Sequence, residues 1–367
     1  MTNNLRHFTL LVILSYSSLF GEGSRVNLEW RGQVSVIHAS SFSRSFSESP
    51  TTFRYIPQWR VDQELTSSRR LGFDAAVDMY NYSLGDSLVE VDADPYRLTL
   101  RYDTPRTQLR VGLQKINFGP ARMLRVLQWF DELDPRDPLA LSPGVWALMG
   151  RNFFDNGANI RLWSMVDAPD RRRVVTSPAA DMPIDIGGRL EYPLPAGTLG
   201  LTLHSMGVRG MDVVQEQRGA IDLRVDAVIG LWTEVMFSHS EDLIKPDQVS
   251  AMVGVDYTFG IGNGLYLAAE SNIVHMGDVG DEMPWVAGST ALMGTYNLGL
   301  SDGLTAYLYA INIVGRDTDY MPTVGWQHTA GNWLFYLALY DLPQLTGANM
   351  IALPAGTGAQ LNIAFNH

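Results

Sequence analysis

The feature that most constrains this chain is a period-two alternation of apolar and polar residues that recurs along almost its whole length. Residues 107–115 read TQLRVGLQK, with leucine or valine at every second position. Residues 95–102, 220–228, 249–257 and 361–365 repeat the pattern. Because successive side chains of a β-strand point to opposite faces, each segment predicts a strand with one apolar and one polar or charged face.

The length of these segments favours a membrane over water. Strands of soluble proteins have about five or six residues, whereas a tilted strand that crosses a bilayer needs about nine to eleven. A hydrophobic fraction of 46% and a mean hydropathy of −0.03 exclude both a disordered chain and a bundle of transmembrane helices. The sequence therefore predicts strands with apolar residues facing lipid and polar residues facing a lumen.

The connections between the predicted strands alternate between long and short, beginning and ending with a long one. Long connections include residues 40–52, 82–94 and 117–143, and the tripeptide Asp155-Asn156-Gly157 is a typical hairpin turn. We predict an all-β fold, a transmembrane antiparallel β-barrel of about eighteen strands. The alternative is a secreted soluble β-propeller, which would repeat every 40 to 50 residues or so; no such repeat is visible.

Two parts of the chain are distinguished by sequence. Residues 1–23 contain a short polar start, an apolar core and small residues, which predicts a secretory signal peptide, and residues 24–367 form the predicted barrel. The chain has no cysteine, which excludes disulfides, thiolate metal ligands and a lipoprotein anchor. The net charge of −12 argues against a nucleic-acid partner.

Many predicted lumen positions carry charges. Those in the first half are Arg31, Arg54, Arg60, Arg97, Arg101, Arg110, Arg161 and Arg189, and those in the second half are Asp222, Asp226, Glu234, Asp256 and Glu270. We expect an arginine wall opposite a carboxylate wall, with a transverse field that orients charged solutes. The alternative is that neighbouring charges, such as Arg60 with Asp74 or Asp78, merely pair with each other.

The connection at residues 117–143 is too apolar for a solvated outer loop. Residues 121–133 predict a short amphipathic helix, and we expect this helical loop to fold into the barrel and narrow it. The charges expected near the narrowest point are Arg122, Arg125, Arg136 and Asp137. A packed surface cap or a contact between subunits is the alternative.

One short motif resembles a known family. Residues 110–119, RVGLQKINFG, resemble the strand end R-x-G-x-Q-x-(hydrophobic)-x-(aromatic)-G of porin-like outer-membrane barrels, and are most similar to the eighteen-stranded alginate-export class. The resemblance covers about ten residues. It implies passive passage of an anionic polysaccharide through an arginine-lined pore in the outer membrane of a diderm bacterium.

These observations predict a channel for small hydrophilic or anionic solutes, among them acidic saccharides. The alternative is a non-conducting scaffold or receptor barrel. We expect no enzymatic activity, cofactor or metal, because the seven histidines are dispersed and lack metal-ligand spacing. The expected partners are outer-membrane lipid, lipopolysaccharide and small solutes, but not nucleic acid, and a homo-oligomer is compatible with the sequence.

Overall fold

The computed structural model describes residues 26–43, 45, 48–131, 139, 141–142, 144–166, 184–206, 216–240, 247–277, 285–313, 317–343 and 353–367. The predicted signal peptide at residues 1–23 lies outside these ranges, as do the predicted pore residues Arg136 and Asp137.

The described residues form eighteen antiparallel strands in one closed sheet. The strands are β1 (Val26–Ser41), β2 (Pro50–Thr66), β3 (Arg69–Leu84), β4 (Ser87–Asp103), β5 (Thr107–Gln114), β6 (Val145–Phe153), β7 (Asn159–Val166), β8 (Ile184–Leu194), β9 (Gly197–Met206), β10 (Glu216–Asp226), β11 (Gly230–Ser240), β12 (Gln248–Phe259), β13 (Leu265–Met276), β14 (Trp285–Asn297), β15 (Asp302–Ile313), β16 (Asp319–Ala330), β17 (Trp333–Leu342) and β18 (Gly356–Asn366). Each strand pairs with the next, and β1 also pairs with β18. The predicted fold class and strand number are confirmed.

The sheet is apolar outside and polar inside, the reverse of a soluble protein. Leu203, Val253 and Val324 are among many exposed aliphatic side chains on the outer face, whereas Thr202 and Asn362 are buried on the inner face. The closed sheet gives each strand a neighbour on both sides through the body of the barrel, so the backbone polar groups there are satisfied even in hydrocarbon. No helix among the described residues is long and apolar enough to cross a membrane.

The connections at one end of the barrel are short, and those at the other end are longer, except for the connection between β3 and β4. The turns after β2, β4, β6, β8, β10, β12, β14 and β16 lie at one end, called here the short-turn end, and the connections at the other end are generally longer. The loop predicted at residues 82–94 is wrong, because β3 and β4 continue to a tight turn at Gly85 and Asp86. The two strands pair with each other through this region, which satisfies their backbone groups without a loop.

The connection between β5 and β6 turns inward. Both strands are short, so the wall ends early and the following residues pack against the inner face of the sheet. Residues 115–131, called here the infolded segment, contain no helix, and the helix predicted at residues 121–133 is wrong for this described part. Its backbone N–H groups bond to carboxylates of the wall instead of to carbonyl groups one turn earlier.

Candidate functional site

The infolded segment begins at a strand end that only glycine permits. Gly112 has a φ of 117°, and a Cβ at this position would collide with the carbonyl oxygen of Leu98. The Gln114 side-chain amide donates to the carbonyl of Ala147 at 2.8 Å, which ties the last residue of β5 to β6. Gly119, with a φ of 88°, lies against the carboxylate of Glu234, where a Cβ would also collide.

Glu270 anchors the segment to the wall opposite its origin. Its Oε1 accepts from the backbone N–H of Arg122 at 2.7 Å and from Trp232 Nε1 at 3.0 Å. Its Oε2 accepts from the backbone N–H groups of Met123 and Leu124 at 2.8 and 2.5 Å. The side chain is only 1% exposed. Burial of a carboxylate is costly unless hydrogen bonds compensate, and these four donors provide that compensation.

Glu234 is a second anchor of the same kind. It is 1% exposed and accepts from the backbone N–H groups of Ala121 at 2.9 Å and Leu127 at 3.0 Å. Sequence reasoning placed Glu234 and Glu270 in the lumen but did not foresee that they hold the segment.

Aromatic contacts hold the infolded segment against β7 and β9. Phe118 stacks on Trp163 with ring centroids 5.7 Å apart, and Phe130 meets Trp163 and His204 edge to face. Trp129 Nε1 contacts the Met236 sulfur at 3.1 Å. Carboxylates on one side and rings on the other hold the segment across the lumen.

Most lumen arginines on β2 to β4 are paired with carboxylates. The ion pairs are Arg54–Asp78 at 2.9 Å, Arg60–Asp74 at 2.5 Å, Arg101–Asp62 at 2.6 Å and Arg101–Asp103 at 3.0 Å. The alternative prediction, that neighbouring lumen charges pair, is confirmed for Arg60 with Asp74. These arginines therefore contribute little unbalanced charge.

The predicted carboxylate wall is wrong. Asp222 lies two strands from Arg189 and binds it with two oxygens, at 2.6 and 3.0 Å, instead of facing it across the lumen. Asp226 lies near the short-turn end and pairs with Arg224 at 2.8 Å. Glu270 is buried under the infolded segment. Asp222 and Asp226 are occupied by arginines that the strands bring next to them, whereas Glu270 is occupied by donors of the infolded segment and Trp232.

Arginines of neighbouring strands lie directly opposite one another. Arg101 of β4 is paired in register with Arg110 of β5, and Arg161 of β7 is in register with both Arg151 of β6 and Arg189 of β8. We call these five residues the arginine ladder. Like charges directly opposite each other destabilise a sheet. Because this arrangement lowers the stability of the sheet, the arginine ladder is a candidate functional site.

Two members of the ladder have no carboxylate of their own. In the part of the chain that the structure describes, Arg110 and Arg161 form no ion pair, although Arg161 Nη1 donates to the carbonyl of Asn117 at 3.2 Å. Arg151 and Arg189 share Glu191, each at 2.9 Å. Sequence reasoning missed Arg151, although alternation from Val145 through β6 places it inward.

The other predicted arginines differ in their access to the lumen. Arg122 keeps 39% of its side chain exposed, contacts the Tyr266 hydroxyl and lies 3.4 Å from Asp256. Arg125 is buried in an ion pair with Asp131 at 2.8 Å. Arg97 donates to the carbonyl of Ser142 at 2.8 Å, where the chain returns to β6.

The wall from β12 to β18 has a different character. After Arg224 the sequence contains two basic residues, Lys245 and Arg316, and both lie outside the described residues. Apart from Asp256 and Glu270, inward positions here carry mainly tyrosine, methionine and small residues, and the infolded segment packs on part of this surface. The main contributors are Met252, Met293, Tyr307, Tyr309, Met321 and Tyr340. The lumen therefore has a basic side and a mostly neutral aromatic side.

A cleft of about 300 Å³ lies between residues 117–120 and the wall formed by β8 to β10. Arg189, Asp222 and Arg224 line it. No group of histidine and acidic residues able to hold a metal ion occurs among the described residues.

The closed eighteen-stranded barrel, its charged lumen and its infolded segment define a porin-type fold. No protein-family model matches the sequence, and no curated protein matches it.

Solved structures that are similar include the anion-selective porin from Comamonas acidovorans, with 15% identity, a TM-score of 0.53 and coverage of 94% of this chain and 100% of that one. Another is Pseudomonas aeruginosa OccD3 (OpdP), with 11% identity, a TM-score of 0.59 and coverage of 93% and 91%. A third is Acinetobacter baumannii OccAB4, with 8% identity, a TM-score of 0.58 and coverage of 94% and 98%. At these identities the similarity establishes the shared fold.

Proposed function

We propose that this protein is an outer-membrane channel through which small anionic solutes diffuse passively. The arginine ladder is the observation that carries the proposal. Its guanidinium groups lie on the lumen side of five consecutive strands, β4 to β8, and supply hydrogen-bond donors on each; Arg110 and Arg151 are offset by two residues, since Arg110 is paired in register with Met149. Arg110 and Arg161 have no carboxylate at ion-pair distance among the described residues, so a passing anion meets donors that are not already neutralised.

The location follows from the same reasoning. A barrel with an apolar outer surface and closed strand edges is stable in a bilayer, and single-chain barrels of this kind are typical of bacterial outer membranes. We assign residues 1–23 as the signal peptide that directs export. One solved structure with this fold is an anion-selective porin, which favours a channel over an enzyme or a non-conducting receptor.

The neutral side of the lumen supports acidic saccharides as one class of solute. Tyr266 and Tyr307 are half-buried, and their aromatic rings suit the apolar faces of a sugar ring. The ladder would bind the carboxylates of the same solute. This is the substrate class that the resemblance of residues 110–119 to the alginate-export class also implies.

The test is ion selectivity in planar bilayers across a salt gradient. Arg110→Gln and Arg161→Gln each remove a charge without leaving a carboxylate unpaired. A unit charge about 4 Å from an ion contributes about 1 kcal/mol in water, so each variant should lower the preference for anions about fivefold. Arg106→Gln is the matched control, because Arg106 lies in an exposed turn and pairs with Asp155 outside the lumen.

Solute uptake into liposomes provides the second readout. Entry of a uronate should fall in the Arg110→Gln and Arg161→Gln variants, while entry of the corresponding neutral sugar should not change. Folded protein that conducts no ions would support the receptor alternative. Equal uptake of both sugars by wild type and variants would refute the role of the ladder.

A further inference from the structure

The first half of β4 has no neighbouring strand on one side among the described residues. β4 pairs with β3 along its whole length, but among the described residues it pairs with β5 only from Leu98 to Asp103. Residues 87–94, called here the free edge, therefore lack a strand partner on one side, and among their backbone donors the Ala93 N–H bonds to the Asp92 carboxylate at 2.7 Å. Every residue of the free edge except Glu90 is exposed, so no other described part of the chain covers it.

The outer face of β3 becomes polar beside the free edge. The outward residues of β3 are apolar as far as Met79 and then become polar at Asn81 and Ser83. Val91 is paired with Asn81 and Leu88 with Ser83, so both lie beside polar residues of β3, and Phe53 of β2, which is also paired with Asn81, is 52% exposed on the same outer face. Val91 is 67% exposed and Leu88 is 62% exposed. Both side chains are therefore largely uncovered by the described residues.

The two faces of the free edge differ in chemistry. The outward face carries Leu88, Val91 and Ala93, and the opposite face carries Glu90, Asp92 and Asp94. A second copy of this edge would bring carboxylates opposite carboxylates, which is unfavourable. An extended chain with basic residues on one face and apolar residues on the other would complement both faces and complete the backbone hydrogen bonds.

We propose that the free edge, at the end of the barrel opposite the short-turn end, binds an extended basic peptide segment by strand addition. The backbone of the peptide would continue the sheet beyond β4. Its lysine or arginine side chains would meet Glu90, Asp92 and Asp94, and its alternate apolar residues would cover Val91 and Leu88. This surface is separate from the arginine ladder, so occupation of one does not require the other.

The test uses the full barrel in detergent and a synthetic peptide of about eight residues that alternates lysine and valine. We expect saturable binding by fluorescence anisotropy, together with slower amide hydrogen exchange at residues 87–94. A peptide with glutamate in place of lysine should not bind. A version with N-methylated backbone amides keeps the charge but cannot pair, and should bind at least about tenfold more weakly.

Variants of the barrel complete the test. Glu90→Gln, Asp92→Asn and Asp94→Asn together should weaken binding about tenfold. The matched control neutralises three acidic residues at the short-turn end, Glu29, Glu64 and Asp155, and should bind as wild type does. No binding, equal binding of the N-methylated peptide, or equal binding by the two triple variants would each overturn the proposal. Protection of the free edge by self-association without peptide would overturn it in favour of a second copy.

Discussion

Replacement of Glu270 by glutamine tests whether buried carboxylates hold the infolded segment across the lumen. The amide keeps the size of the side chain, but its nitrogen must face one of two pairs of N–H donors. One pair comes from Met123 and Leu124, and the other from Arg122 and Trp232. Either orientation loses two hydrogen bonds to a charged acceptor.

Each such bond contributes about 1.5–3 kcal/mol, so the docked segment should lose about 3–6 kcal/mol. Because about 1.4 kcal/mol corresponds to a tenfold change, the undocked population should rise roughly 10²- to 10⁴-fold. The strand ladder of the barrel does not depend on this contact, so the unboiled protein should keep its folded gel mobility.

The assay is single-channel recording in planar bilayers. The Glu270→Gln channel should show larger fluctuations of its open level and a higher mean conductance, because the segment leaves the wall more often. Glu64→Gln is the control, since Glu64 is exposed near the short-turn end of β2. Wild-type conductance and noise in the Glu270→Gln channel would refute the reasoning and show that apolar packing alone holds the segment.

Three further predictions follow from named contacts. Gly112→Ala should impair assembly, which would appear as loss of the heat-modifiable gel band. The left-handed φ of Gly112 costs about 1–3 kcal/mol in other residues, and a Cβ there would collide with Leu98. Gly260→Ala is the control and should assemble normally, because the space around Gly260 is open. Burial lowers the pKa of Lys115, at the start of the infolded segment, so its charge and part of the anion preference should disappear at a lower pH than for an exposed lysine. The reversal potential of the wild-type channel should therefore change at alkaline pH, and that of a Lys115→Met channel should not. The same alkaline change in both channels would contradict the role of Lys115. Deletion of residues 121–131 should raise conductance while the barrel still folds, and an unchanged conductance would mean that the segment does not narrow the pore.

The motif at residues 110–119 lies where the chain leaves the barrel wall after β5, and three of its residues make this departure possible. Gly112 allows the close approach of β4, Gln114 ties β5 to β6, and Gly119 makes room for the Glu234 carboxylate. The sequence identified this pattern, but the partners of all three residues are distant in the chain.

Alternation along the sequence was sufficient to predict the barrel, the number of strands and which face of each strand meets the lumen. This information is local, because the side of a strand on which a residue lies depends only on its position within that strand. Arg110, Arg161 and Arg189 lie on the inner face of the sheet, the side that this alternation predicts.

Tertiary structure alone decided which of these residues meet. Register between strands depends on turns, bulges and closure of the barrel, and it placed Asp222 beside Arg189 rather than across from it. The infolded segment failed to form the predicted helix because Glu234 and Glu270, more than a hundred residues away, accept its backbone hydrogen bonds. Local sequence periodicity contains no information about such distant acceptors, whereas the closed sheet brings them within 3.0 Å of the segment.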